Sequence, residues 1–174
     1  IIIEKISDLK LDNIFFLDSK KIKKILDSNP LVDKYDVFKN YPSSIKIYIV
    51  KTKFFAKINI DGNTFIIGSN GKLLDNYLGS DELPFIFGKP NVDEFLEFKK
   101  IFDKSKFEYD QVKNLYYFPS KRWDIEFKNN KILKLPERSV DISLDYLFEF
   151  LNDKKFSNIK IIDARIKNQI ILNE

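Results

Sequence analysis

A proline turn followed by an alternating segment, in residues 41–56, constrains the fold of this chain more than any other feature. Pro42 fixes its own φ angle and has no N–H group, so it favours a turn. From Ile45 to Ile49, apolar residues occupy every second position. This period of two is typical of a half-buried β-strand. We therefore expect a domain in which strands and helices are mixed.

The residues before that strand predict a small module. An apolar run at residues 1–6 suits a buried strand, and Ile22, Ile25 and Leu26 share one face of a helix that ends before Pro30. Residues 31–35 favour a second short helical turn, and residues 37–40 favour an extended segment. Residues 1–57 therefore predict the order β-α-α-β-β.

The rest of the chain predicts further strands and two helices. The helices are indicated by apolar residues on one helical face, at residues 92–102 and 144–151. Alternating or apolar runs bounded by turn residues predict strands at residues 64–67, 112–118, 121–127, 131–135, 159–162 and 168–172. Short turns separate the strands at residues 112–118, 121–127 and 131–135, which predicts a meander.

The composition excludes most kinds of catalytic site. The chain has no His and no Cys, which removes most catalytic triads, thiolate catalysis and the common zinc ligands. Asp61-Gly62-Asn63 has the form of a hairpin turn and lacks the other ligands of a calcium loop. The five glycines form no nucleotide-binding motif. We expect no enzyme activity, no cofactor and no metal.

The charge balance argues against nucleic acid as a partner. Thirty Lys and Arg stand against 26 Asp and Glu, and only three of the basic residues are arginine. Arginine is the residue that favours bidentate contacts to phosphate and guanine. One cluster keeps an alternative open, since Tyr116, Tyr117 and Trp123 surround Arg122 and could form a stacking platform or a protein-binding hot spot. Core packing is the competing explanation for Trp123.

The two ends of the chain raise separate expectations. The chain contains no methionine and begins Ile1-Ile2-Ile3, so we expect a fragment whose membrane anchor lay upstream. At the other end, residues 170–172 form an apolar strand close to the terminus. An edge strand there would offer unpaired backbone groups to a partner strand, whereas a strand enclosed in the sheet would not. The sequence leaves both possibilities open.

Several segments, in order, resemble the FtsQ/DivIB family of bacterial cell-division proteins. They are the Tyr41-Pro42 turn with its alternating strand, Leu83-Pro84 through Gly88, Arg122 through Pro136, and Ile161-Ile162-Asp163-Ala164-Arg165. The chain departs from the family pattern at Lys51, Gly68 and Asn130. The resemblance rests on the ordered set of these segments and not on any one of them.

The resemblance implies an α+β fold in two parts. Residues 1–57 would form a POTRA domain of order β-α-α-β-β, and residues 58–174 a mixed α/β domain with a curved, mostly antiparallel sheet. It also implies a non-catalytic scaffold of the divisome on the periplasmic side of the bacterial inner membrane. A missing N-terminal helix would anchor it, and FtsB- and FtsL-like proteins would be its partners, with other divisome components at the POTRA domain.

The same resemblance places the partner site at the C-terminal strand. The residues carried over from the family motif, with Arg122 added from the preceding strands, are Arg122, Arg165, Ile166, Asn168, Gln169 and Ile170. A partner strand would add to the edge made by residues 163–172. The alternatives are a POTRA-containing docking or chaperone module of outer-membrane assembly or secretion, and a basic binder of single-stranded nucleic acid.

Overall fold

The computed structural model describes residues 19–42, 44–75, 82–152, 158–166 and 169–173 of the chain. Within these ranges the protein is α+β. The helices are α1 Ser19–Ser28, α2 Val92–Phe102 and α3 Val140–Asn152, with a short 3-10 helix at Tyr109–Gln111. The strands are β1 Val32–Asn40, β2 Ser44–Lys51, β3 Phe54–Ile60, β4 Asn63–Gly68, β5 Leu73–Asp75, β6 Phe85–Phe87, β7 Val112–Tyr117, β8 Trp123–Phe127, β9 Ile132–Lys134, β10 Ile161–Asp163 and β11 Ile171–Asn173.

Helix α1 and the antiparallel hairpin β1–β2 form an N-terminal unit. Ile22 and Leu26 are fully buried on the predicted helical face, and β2 contains the alternating segment that the sequence predicts as a strand. The predicted helical turn at residues 31–35 is wrong, because β1 begins at Val32 and pairs with β2. A register shift between Val32 and Lys34 breaks the alternation there. The strand predicted at residues 1–6 lies outside the described residues.

The remaining strands form one large sheet in the order β11-β10-β9-β8-β7-β6-β3-β4-β5. Neighbours pair antiparallel except β3 with β6, β6 with β7 and β9 with β10, so the sheet is mostly antiparallel, as expected. Strands β7, β8 and β9 form the predicted meander. Strand β3 belongs to this sheet and contains residue 57, where the sequence predicts the boundary between two domains. That boundary stays a prediction.

One face of the large sheet carries the core. Leu115, Ile125, Leu133 and Ile162 stand opposite one another on β7 to β10 and are fully buried. Helices α2 and α3 cover this face with apolar side chains that belong to the same cluster: Phe95, Phe98, Phe102, Leu144 and Leu147. We call the opposite side of the sheet the outer face. Side chains alternate between the two faces along each strand.

Helix α2 begins at a capping box that the sequence specifies locally. The Asn91 side chain accepts a hydrogen bond from the Glu94 backbone N–H at 2.7 Å, and the Glu94 carboxylate accepts one from the Asn91 N–H at 3.0 Å. These reciprocal bonds satisfy two backbone donors and fix the start of the helix. Phe95 and Phe98, in the turns that follow, belong to the core cluster. None of the helices in the described ranges has the length and apolar character needed to cross a bilayer.

Candidate partner-binding edge

Strand β11 ends the large sheet at its C-terminal side. It pairs antiparallel with β10 through Ile162 and Leu172 and the residues on either side of them. Among the strands that the structure describes, none pairs with its other flank. Leu172 packs against the core, whereas Ile171 is 44% exposed. Within the described residues, one backbone flank of β11 is therefore unpaired by another strand, and Ile171 is its exposed aliphatic side chain.

Most predicted site residues lie on the connection before this strand and not in it. The strand expected at residues 168–172 is β11, and its observed bounds are Ile171–Asn173. Arg165, Ile166, Gln169 and Ile170 lie in the β10–β11 connection, where the Gln169 N–H donates to the Ile166 carbonyl at 3.1 Å. Ile166 is 51% exposed, while Ile170 is partly buried against the core. Asn168 lies outside the described residues. We call β11 together with residues 164–166 and 169–170 the C-terminal edge.

The guanidinium of Arg165 is bound by a carboxylate of its own chain. Its Nε donates to Asp163 Oδ1 at 2.8 Å and to Oδ2 at 2.9 Å, and its backbone N–H donates to Oδ1 at 3.1 Å. Hydrogen bonding from Arg165 lowers the pKa of Asp163 below its ordinary value. Asp163 is buried and Arg165 is partly exposed. A partner carboxylate would therefore meet an arginine that is already oriented.

A row of polar and charged side chains crosses the outer face at the level of Asp163. Tyr116, Asp124, Lys134 and Asp163 pair with one another in that order on β7 to β10, and Ile171 pairs with Asp163. Opposed residues of this kind place their side chains on one face. Burial raises the pKa of Asp124, while Arg122, Lys134 and Arg165 act in the opposite direction. The row connects the C-terminal edge to the middle of the sheet.

Arg122 and Trp123 occupy different environments, although they are neighbours in sequence. The Nε of Arg122 lies 3.3 Å from Asp124 Oδ1, and its guanidinium carbon lies 4.2 Å from the Phe118 ring centroid. Trp123 is buried, stacks on Phe98 with ring centroids 4.7 Å apart, and lies equally close to Tyr117. Trp123 is therefore a core residue and not part of a stacking platform for nucleic acid.

A second polar cluster on the outer face was not among the sites predicted from the sequence. Glu126 accepts hydrogen bonds from Lys113 Nζ at 2.8 Å, from Asn114 Nδ2 at 2.9 Å and from the Tyr116 hydroxyl at 2.7 Å. The Tyr116 ring stacks on Phe87, with centroids 5.0 Å apart. Glu126 lies on β8 and its three donors lie on β7, so the register of these two strands brings them together. Alternating Asn, Tyr and Glu residues in adjacent predicted strands were the available signal.

Carboxylates are the described side chains to consider for metal binding or acid–base chemistry. No group of three or more carboxylate, His or Cys residues close enough to hold a metal is found in the described parts of the chain. Among the shifted carboxylates, Glu94, Glu126 and Asp163 have their pKa values lowered, chiefly by hydrogen-bond donors, which favours the charged form, whereas burial raises the pKa of Asp124. A carboxylate stabilised in this way is suited to structural pairing.

Two family models cover the chain in sequence order. The model described as POTRA domain, FtsQ-type, matches residues 1–51, and that described as cell division protein FtsQ/DivIB, C-terminal, matches residues 56–165. The chain belongs to the FtsQ/DivIB family. The resemblance carried by the proline turn, the strand motifs and Asp163-Ala164-Arg165 is thereby confirmed.

Relatives of this FtsQ/DivIB chain give the same assignment. It is 26% identical to the cell division protein FtsQ of Bradyrhizobium diazoefficiens over 168 residues, covering 92% of this chain and 48% of that protein. It is 22% identical to FtsQ of Rhizobium meliloti over 176 residues, covering 96% of this chain and 56% of that protein. The chain thus spans about half the length of these curated relatives.

A solved structure is also similar to this FtsQ/DivIB chain. It is the major extracytoplasmic domain of the trans isomer of the cell-division protein DivIB from Geobacillus stearothermophilus. The match has a TM-score of 0.43 and 14% identity, and it covers 64% of this chain and 99% of that chain.

Proposed function

We propose that this chain is the extracytoplasmic part of a non-catalytic divisome scaffold, which recruits FtsB- or FtsL-type proteins by strand addition at β11. An upstream helix would anchor it in the inner membrane, with these domains on the periplasmic side, and the POTRA domain would dock other division proteins. Membership of the FtsQ/DivIB family supports this role over a module of outer-membrane assembly.

The observation that carries the proposal is the position of β11. It is the terminal strand of the large sheet and has a partner strand on one flank only, within the described residues. Strand addition obtains its affinity from main-chain hydrogen bonds, so it requires an accessible backbone and no special motif. This explains how a binding site can lie here without a sequence signature.

The side chains around β11 would supply the register. Ile166 and Ile171 are exposed aliphatic residues at the C-terminal edge, and Arg165 provides a cation held in place by Asp163. An apolar residue of the partner strand would cover Ile171, and an acidic residue would approach Arg165. Electrostatic complementarity of this kind contributes to specificity and association rate more than to affinity.

Proline substitutions in β11 test strand addition directly. Backbone N–H groups alternate in direction along a strand, so one of Ile171→Pro and Leu172→Pro removes a donor that faces the partner. We expect that variant to lose binding to the soluble domain of the organism's own FtsB-like protein, measured by isothermal titration calorimetry. Circular dichroism and the melting temperature would establish that each variant is folded.

Ile166→Ala and Ile171→Ala are the matched controls, because each removes an exposed side chain and keeps the backbone. We expect them to weaken binding by less than the proline variant does. Unchanged affinity in both folded proline variants would exclude strand addition at β11. If Ile166→Ala had the largest effect, the partner would bind the connection and not the strand.

A further inference from the structure

We infer that residues 69–72, here called the joint turn, hold the N-terminal unit in one orientation on the large sheet, with Asn70 and Lys72 as positioning residues. The joint turn lies between β4 and β5 of the large sheet. Its side chains contact the end of α1, the start of β1 and the segment between β2 and β3. The joint turn is separate from β11, where strand addition is proposed.

Asn70 makes the central contacts of the joint turn. Its Nδ2 lies within hydrogen-bond distance of the Pro30 carbonyl at 3.0 Å, the Val32 carbonyl at 2.8 Å and Thr52 Oγ1 at 2.9 Å. Its Oδ1 accepts from the Lys72 N–H at 3.0 Å, which fixes the side chain within its own turn. Both ends of one amide are therefore used, one inside the large-sheet domain and one across to the N-terminal unit.

Lys72 completes the C-terminal end of helix α1. Its Nζ donates to the Asp27 carbonyl and lies 3.3 Å from the Asn29 carbonyl. Helix α1 has no basic residue in its own last turn. Cations are favoured where the last carbonyls of a helix lack intrahelical partners. Lys72 therefore supplies a cation at the C-terminal end of α1, where the last turn of the helix has no basic residue.

Gly68 allows the close approach that these bonds require. Its φ is outside the left-handed region, so its backbone conformation does not demand glycine. A Cβ at this position would lie 2.4 Å from Thr52 Cγ2 and 2.8 Å from Asn70 Oδ1. Thr52 is itself fixed to the N-terminal unit, since its N–H donates to the Leu31 carbonyl at 3.0 Å. The absence of a side chain at Gly68 is therefore explained by the contact between the two domains.

Ser69 adds a polar contact at the other side of the turn. Its hydroxyl donates to Asp33 Oδ2 at 3.2 Å and accepts from the Lys53 N–H at 3.0 Å. Its own N–H donates to the Lys53 carbonyl at 2.8 Å. The joint thus consists of directional hydrogen bonds to several elements. Directional bonds fix an orientation, whereas a purely apolar contact would permit sliding.

Residual dipolar couplings measured on the isotope-labelled chain test this inference. In the unchanged protein, one alignment tensor should fit the amides of α1, β1 and β2 together with those of the large sheet. In the double variant Asn70→Ala, Lys72→Ala, we expect the degree of order of the N-terminal unit to fall by about twofold or more relative to the sheet, as independent motion averages the couplings. Gly68→Ala should produce the same change with Asn70 and Lys72 intact.

Asn129→Ala is the matched control, because Asn129 also bonds within a turn, accepting from the Lys131 N–H, and no hydrogen bond among the described residues joins its side chain to the N-terminal unit. It should retain the single tensor. Amide shifts remote from the joint must stay unchanged in every variant, which separates loosening from unfolding. Two different tensors in the unchanged protein, or one tensor in the double variant, would overturn the inference. Neither result bears on binding at β11.

Discussion

The hydroxyl of Tyr116 donates a 2.7 Å hydrogen bond to Oε2 of Glu126, joining β7 to β8 on the outer face. Hydrogen bonds from Asn114, Lys113 and Tyr116 lower the pKa of Glu126 to about 2. Burial, followed by the bond to Glu126, raises the pKa of Tyr116 to about 12. Both shifts favour a charged carboxylate beside a neutral phenol across the whole physiological range.

Glu126→Gln should destabilise the protein at pH 7 by about 1–2 kcal/mol, after discounting the pKa shift for partial solvent exposure. The folded-state pKa lies below the unfolded value, so this stabilisation is complete above the unfolded pKa and is lost as the pH falls toward about 2. Urea denaturation of both proteins at pH 7 and at lower pH measures the difference. If the difference in unfolding free energy between the two proteins did not narrow as the pH falls, the charged form of Glu126 would not be the source of the stabilisation.

Arg165→Ala should raise the pKa of Asp163, because the hydrogen bonds from Arg165 are the largest cause of its lowering. A carboxyl with a lowered folded-state pKa stabilises the protein above its unfolded pKa, and that stabilisation is lost on acidification. The variant should therefore lose less stability than the parent does between neutral and acidic pH. Titration of the Asp163 carboxyl carbon by NMR measures the shift directly.

Arg138→Ala is the control for Arg165→Ala, since it removes an exposed arginine elsewhere on the chain. It should leave the titration of Asp163 unchanged. If the two variants had the same effect, the general loss of positive charge would explain the shift, and the geometry at Arg165 would not.

Trp123→Ala should cost about 3–5 kcal/mol of unfolding free energy, because it leaves a cavity where the indole stacks on Phe98. Trp123→Phe keeps a ring in the core and should cost less. Tyr146→Ala removes an aromatic side chain that is 71% exposed and should have little effect. Chemical denaturation of the three variants measures their unfolding free energies and so tests this order. If Trp123→Ala were as stable as Tyr146→Ala, Trp123 could not be a core residue.

Gly88→Ala should be more destabilising than Gly62→Ala, and the pair separates two effects. Both glycines have positive φ, at 103° and 86°. A Cβ at Gly88 would lie 2.2 Å from the Tyr117 carbonyl oxygen, whereas one at Gly62 would have nothing within 4 Å. We expect roughly 1 kcal/mol for Gly62→Ala from backbone strain, and roughly 2–4 kcal/mol for Gly88→Ala. Equal losses of stability in thermal denaturation would show that backbone strain, and not the clash with Tyr117, determines the cost of both substitutions.

Local patterns predicted most of the elements. The apolar face of residues 92–102 and the alternation of residues 45–49 lead to α2 and β2, because helical and strand periods are set by the backbone. The helical turn predicted at residues 31–35 was wrong for a local reason. The apolar residues there are spaced as in a helix, and β1 begins with a register shift, so the strand alternation is broken. Pairing with β2 outweighed that weak preference.

Residue types and short-range periodicity were enough to establish the class of fold, the exclusion of His- and Cys-dependent chemistry and the family resemblance. The three-dimensional arrangement was needed to show which of the described strands ends the sheet, that Arg165 is held by Asp163, and that Asn70 reaches Pro30 and Val32. These relationships depend on strand order and register between distant segments. A one-residue slip reverses the face of every side chain on a strand, so no local pattern can specify them.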